Sequence, residues 1–234
     1  MEIQVAVSKV RKWASRESGD TVEMIERPSG GLSWVLVDGQ HTGRGAKVVS
    51  NLVARKAISL LAEGVRDGAA ARAAHDDLYA QRGGKVQATL NIVSVDLVSR
   101  TVVLSRNNPN PSYVLTPAGV TALAEESRPV GLYHYTKPVI RQIPLAPETV
   151  IVVYTDGLAT AGTRRGQPLN VAEEVERLYA EGLGAAQTWA DKLLAAALDR
   201  DEQRPADDIS ILVLAVLTPR MEDPVRRMLV RVPL

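Results

Sequence analysis

Ile3, Val5 and Val7 alternate with polar neighbours, the period-2 pattern of a half-buried strand. Thr21–Glu26 and Leu32–Val37 are further strand-like runs. Arg27-Pro28-Ser29-Gly30-Gly31 separates them, and its Pro and Gly residues predict a hairpin turn. After Gly43 and Gly45 the period changes. Val48, Val49, Leu52, Val53, Ile58, Leu60 and Leu61 fall on one face of a helix, with Lys47, Asn51 and Arg55 outside it. A second helix is predicted over Asp67–Gln81. Strands then return at Val86–Asp96, Thr101–Arg106, Tyr113–Leu115, Val120–Leu123, Val139–Ile143 and Thr149–Tyr154. Two helices, Val171–Tyr179 and Ala185–Leu198, precede a last apolar strand, Ile209–Leu217.

This order does not alternate as a parallel α/β fold does. It predicts an α+β protein of antiparallel sheets with helices packed outside them. No internal repeat or linker divides the chain. The segment 218–234 carries Arg220, Arg226, Arg227 and Arg231 among Val, Leu and Met, and reads as an extra strand, a surface arm or an oligomer contact.

Composition narrows the chemistry. At 234 residues the chain is long enough for a sizeable core. Its net charge of +1 supplies no field for nucleic acid or an anionic membrane. Aromatic residues are 4% with no Phe, which leaves little for base stacking. Cysteine is absent, so disulfides and thiolate metal sites are excluded. No apolar run approaches the roughly 20 residues of a membrane span, and the first residues lack a signal-peptide pattern. The expectation is a cytoplasmic protein.

The candidate chemistry lies in acidic turns. Asp20 ends Ser18-Gly19-Asp20, Asp38 sits in Val37-Asp38-Gly39, Asp156 in Tyr154-Thr155-Asp156-Gly157, and Asp207-Asp208 precedes Ile209. Any one Asp-Gly is also an ordinary turn. Three of these sites abut strand-like runs, and carboxylates on rigid strand ends, brought together, make an oxygen cage for a hard cation such as Mg²⁺ or Mn²⁺.

Together these residues resemble the metal-dependent protein serine/threonine phosphatases of the PPM class. The likeness is to the bacterial SpoIIE-like branch and its stand-alone stress-response phosphatases such as RsbX. It spans residues 1–217, leaving 218–234 as a tail of unknown role. Besides the acidic motifs, Gln87-Ala88-Thr89 matches the family's small/Thr segment, and Tyr154-Thr155-Asp156-Gly157-Leu158 is the most specific match. The resemblance implies a four-layer αββα sandwich of two antiparallel sheets. It implies two ions, Mn²⁺ or Mg²⁺, bridged by Asp38 with help from the Gly39 carbonyl. Asp156 and Asp207 would complete one ion's shell, Asp20 would approach the other, and Asp208 would support its neighbour. The implied substrates are phosphorylated STAS-domain or stressosome proteins. The loop from Asp38 to Gly45 is two residues longer than the family's usual glycine loop.

Two further residues carry paired readings. His41 is either a general acid for the leaving group or a solvated loop histidine. Arg16 is either a contact for substrate phosphate or a surface arginine. His75 and His134 have no acidic cluster beside them and read as structural or exposed. A nucleotide-binding module is disfavoured, because Gly43-Arg44-Gly45 lacks both a third glycine and a Gly-Lys-Ser/Thr. A catalytically impaired phosphatase-like scaffold that binds a signalling partner is the alternative function, and a small-molecule phosphatase is a third.

Overall fold

The computed structural model describes residues 1–218 and 225–232. Two five-stranded antiparallel sheets lie face to face, with helices on both outer faces, so the expected four-layer α+β sandwich is formed. The first sheet runs β1 (Glu2–Val10), β10 (Ile209–Leu217), β9 (Thr149–Tyr154), β6 (Ser112–Thr116) and β7 (Gly119–Leu123). The second runs β2 (Asp20–Glu26), β3 (Leu32–Gly39), β4 (Ala88–Asp96), β5 (Thr101–Asn107) and β8 (Val139–Pro144). Helices α1 (Gly43–Ala62) and α2 (Asp67–Arg82) cover the second sheet. The short α3 (Asp156–Thr160) follows β9, and α4 (Val171–Ala180) and α5 (Ala186–Arg200) cover the first sheet.

Three apolar layers hold this together. Leu36, Val93, Leu104, Ile151, Val153, Leu212 and Leu214 fill the space between the sheets. Val35, Val37, Leu90 and Ile92 turn the other way, onto Val53, Ala57, Leu61 and Leu78 of α1 and α2. Strands β9 and β10 are buried on both faces, which explains the continuous apolar stretches Val150–Tyr154 and Ile211–Leu217. Burying such side chains contributes roughly 1.5–3 kcal/mol each, so these layers are the main source of stability.

Four elements differ from the sequence pattern. Strand β1 runs the full length of β10, from Glu2 opposite Leu217 to Val10 opposite Ile209, beyond the alternating core Ile3–Val7. Strand β4 begins at Ala88 rather than Val86, because Gln87 pairs with Gln40 and Ala88 bridges to Val130. Helix α3 and a 3₁₀ turn at Thr163–Arg165 are too short to show a helical period. In the tail, residues 225–232 form neither helix nor strand, and Arg226 lies 3.5 Å from Glu26. Arg220 falls outside the described residues.

The turn Asn107–Pro111 is anchored by a buried cation. Arg106 is only 1% exposed; it donates to the Asn108 and Asn110 carbonyls at 2.6 and 3.2 Å and to the Glu125 carbonyl at 2.6 Å. Asn108 in turn donates to the Tyr154 carbonyl at 3.1 Å, tying this turn to the end of β9. Arg106→Ala leaves several carbonyls without their donor and should cost about 3 kcal/mol. Arg177→Ala, which removes only the exposed pairs with Glu174 and Glu181, should leave stability nearly unchanged. Urea midpoints at constant slope check the contrast.

Candidate metal centre

Strand register brings the acidic turns to one end of the sandwich. Asp20 stands opposite Asp38, and Asp38 opposite Thr89, so these three form a row across β2, β3 and β4. Val22 and Leu36 face the inter-sheet core, and the period of two puts Asp20 and Asp38 on that same face. The other sheet offers a facing row. Val5 and Val7, Leu212 and Leu214, and Ile151 and Val153 point into the same core, which aligns Lys9, Ser210 and Thr155 against Asp20.

Contacts close the two rows on each other. Asp20 is 1% exposed; one carboxylate oxygen, Oδ2, accepts from Thr155 Oγ1 at 2.9 Å and from Ser210 Oγ at 2.6 Å. Its Oδ1 is buried with no hydrogen-bond partner. Asp208 is occupied by backbone. Its two oxygens accept from Lys12 N–H at 2.9 Å and Gly19 N–H at 2.8 Å, so it staples the β1–β2 loop. Asp207 keeps partial exposure, and one of its oxygens accepts from the Asp208 N–H at 3.0 Å.

Two glycines are required by close approach. A Cβ on Gly39 would lie 2.1 Å from the Ala46 carbonyl oxygen, and one on Gly157 would lie 2.1 Å from the Asp208 carbonyl oxygen. The first lets α1 dock against the end of β3. The second lets the Asp156 turn seat against the start of β10. The residue after each aspartate therefore sets how near the carboxylates can come.

That nearness is visible in their protonation. Burial, then the charges of Asp20, Asp156, Asp207 and Asp208, pushes Asp38 up to about 9. Burial pushes Asp20 up to about 7, against the hydrogen bonds from Ser210 and Thr155 and the charge of Lys9. Asp156 is raised by burial and by Asp207, and it shares a hydrogen bond with Asp38.

Among the described residues, no three His, Cys, Asp or Glu side chains already form an ion-holding set. The donor set nonetheless fits a hard divalent cation. It is all oxygen, it is mutually repulsive when ionised, and it includes the buried, unpartnered Oδ1 of Asp20.

The remaining candidates stand apart. His41 is exposed at φ +76°, in a loop where Gly43 is also left-handed at φ +67°. The two extra residues are absorbed there, and Gln40 extends the ladder by accepting from the Gln87 N–H at 3.0 Å. Arg16 has an exposed side chain, and its carbonyl accepts from Arg11 at 3.4 Å. The pattern did not single out Lys9, Lys47, Thr155 or Ser210. Lys9 and Lys47 both donate to the Asp20 carbonyl at 2.6 Å, and Lys47 also to Thr21 Oγ1 at 3.0 Å. Burial, with Lys47 beside it, holds the Lys9 ammonium below the usual lysine range. A signal existed: Lys9 and Ser210 are the polar breaks in otherwise apolar inward faces.

The family profile of Stage II sporulation protein E (SpoIIE) matches residues 28–217, which include Asp38, Asp156 and Asp207. A sequence search among curated proteins finds no match. Among solved structures, the chain resembles the PP2C phosphatase domain of SpoIIE from Bacillus subtilis, solved with a fragment of its regulatory domain. The TM-score is 0.80 at 18% identity, over 93% of this chain and 64% of that one. It resembles the catalytic domain of the serine/threonine phosphatase PstP in complex with two manganese ions, with TM-score 0.67 and 17% identity, over 92% and 99%. It also resembles the RsbU and RsbW domains of a Mycobacterium tuberculosis protein, with TM-score 0.72 and 21% identity, over 93% and 61%. At these identities the likeness is one of fold, and the fold is that of PP2C-type phosphatases.

The raised carboxylates have a sign-definite consequence. Between about pH 4 and pH 9 the metal-free fold binds more protons at Asp20 and Asp38 than the unfolded chain does. Its stability therefore falls as pH rises through that window. A bound cation must displace those protons, so affinity rises with pH. Melting of the metal-free protein should drop from pH 6 to pH 8.5, and millimolar Mn²⁺ should reverse the drop. Calorimetric titration should show protons released on Mn²⁺ binding; a pH-independent affinity would contradict the assignment.

Proposed function

This chain belongs to the SpoIIE family, and we propose that it is a Mn²⁺- or Mg²⁺-dependent phosphatase of phosphoserine and phosphothreonine. The observation that carries the reading is the convergence of Asp38, Asp156 and Asp207 with the buried Asp20 where the two sheets meet. Asp38 and the Gly39 carbonyl would help to hold the ions. Asp156 and Asp207 would hold one of them, and Asp20 Oδ1 would face the other. When bound, such cations would neutralise a phosphate monoester and acidify a water. The chain's own part is to fix the carboxylates on strand ends, so that little reorganisation is needed when the ions and substrate arrive. Thr155 and Ser210 orient Asp20, and Asp208 holds the loop that delivers it. Because Cys is absent and the donors are carboxylates, direct attack by water is favoured over a covalent thiol intermediate.

The substrates in this reading are phosphorylated STAS-domain or stressosome proteins. Support comes from the fold likeness to a structure that carries RsbU and RsbW domains. No helix among the described residues is long and apolar enough to cross a membrane, and a cytoplasmic setting belongs to the same reading.

Phosphate release from p-nitrophenyl phosphate and from a phosphorylated STAS protein, with and without Mn²⁺, tests the proposal. Activity should require the ion. Asp38→Asn and Asp156→Asn should each lower kcat/KM at least about a hundredfold. Unchanged activity in both variants would sink the two-ion assignment. Normal Mn²⁺ binding with no hydrolysis of any phosphoprotein would favour the partner-binding scaffold.

A further inference from the structure

Two ammonium groups meet where one would suffice. Lys9 Nζ and Lys47 Nζ both lie 2.6 Å from the Asp20 carbonyl oxygen. The nitrogens are therefore no more than about 5 Å apart, close enough for like charges to repel. None of the ion pairs among the described residues includes either lysine. Of the nearest carboxylates, Asp20 has Oδ2 held by two hydroxyls and Oδ1 buried without a hydrogen-bond partner, and Asp208 is held by two backbone amides.

Donor capacity points the same way. An ammonium has three N–H groups. Lys9 places one on Asp20 O, and Lys47 places one there and one on Thr21 Oγ1. Three N–H donors remain between them. Both residues are at least partly open to solvent. Lys9 comes from β1 and the bonded carbonyl from β2, which are the edge strands of the two sheets, so the pair sits at the open margin of the sandwich. Lys9 lies in the inward row beside Ser210, which itself donates to Asp20. A brace for one carbonyl needs no second cation. Two converging cations with spare donors, beside a carboxylate row, match a dianion that must approach that row despite its negative charge.

We propose that Lys9 and Lys47 form an anion seat on the Asp20 side of the carboxylate row, which takes oxygens of a phosphate monoester and of the orthophosphate released from it. This rests on the hydrolytic reading above and moves the phosphate contact from the exposed Arg16 to the lysine pair. Calorimetric titration of inorganic phosphate into the full chain, with and without Mn²⁺, tests it directly. Lys9→Met and Lys47→Met keep the apolar stems; each should weaken phosphate binding roughly tenfold, and the double variant should weaken it further. Lys9→Arg should restore most of the affinity. Mn²⁺ affinity in the variants should equal or exceed that of the parent, because a neighbouring positive charge has been removed. Unchanged phosphate binding in the double variant, or no binding by the parent chain, overturns the seat. Loss of phosphate binding together with weaker Mn²⁺ binding also overturns it, by making the lysines a brace for Asp20. The two readings separate cleanly. A chain that binds phosphate through the lysines but cleaves no phosphoester keeps the seat and loses the reaction. Full kcat/KM in the double variant keeps the reaction and loses the seat.

Discussion

Carboxylates buried side by side repel one another and lose their hydration, and this protein gathers several at one end of its sandwich. Burial and four neighbouring aspartates push Asp38 up to about 9. A group held that far from its ordinary range is destabilising when ionised without a partner. The surroundings relieve the strain by a different route for each aspartate. Two hydroxyls hold Asp20, two backbone amides hold Asp208, and Asp156 and Asp38 hydrogen-bond to each other. The arrangement makes chemical sense as a receiver of cations, since a divalent ion removes the repulsion that the fold imposes.

Much of the architecture serves that crowding. The two sheets supply opposite walls: register sets Asp20 beside Asp38 in one sheet, and Asp20 meets Ser210 and Thr155 of the other. Glycine at 39 and 157 allows backbone to pack where a side chain would collide with a carbonyl oxygen. Arg106, Asn108 and Tyr154 carry the same organisation outward, linking the turn after β5 to the strand end that presents Asp156. The apolar layer between the sheets keeps both walls rigid. Lys9 and Lys47 occupy the outer margin, where positive charge faces the rim of the acidic row without joining it.

The fold was largely legible because its signals are local. Period-2 and period-3.6 patterns located the ten strands and four of the helices among the described residues, and the non-alternating order pointed to antiparallel sheets. Helix α3 was not legible, because five residues are fewer than two turns. The acidic motifs were legible because each pairs a carboxylate with a turn at a strand end. The supporting residues were not. Ser210 and Lys9 are single polar positions in apolar runs, and a lone polar residue in a strand has many ordinary explanations.

By itself the sequence determined which elements form and which residues carry oxygen donors to their ends, since propensity, periodicity and turn chemistry are properties of neighbouring residues. Only the tertiary structure decided which donors meet. Asp207 and Asp208 are adjacent in the chain, yet Asp208 is engaged by backbone amides while its neighbour stays partly open. Asp20 and Ser210 are 190 positions apart, yet they share a hydrogen bond. Lys9 and Lys47 converge on one carbonyl from a strand and a helix. Such pairings depend on strand register and on how closely two layers approach, and those are set by packing across the whole sandwich rather than by any stretch of chain.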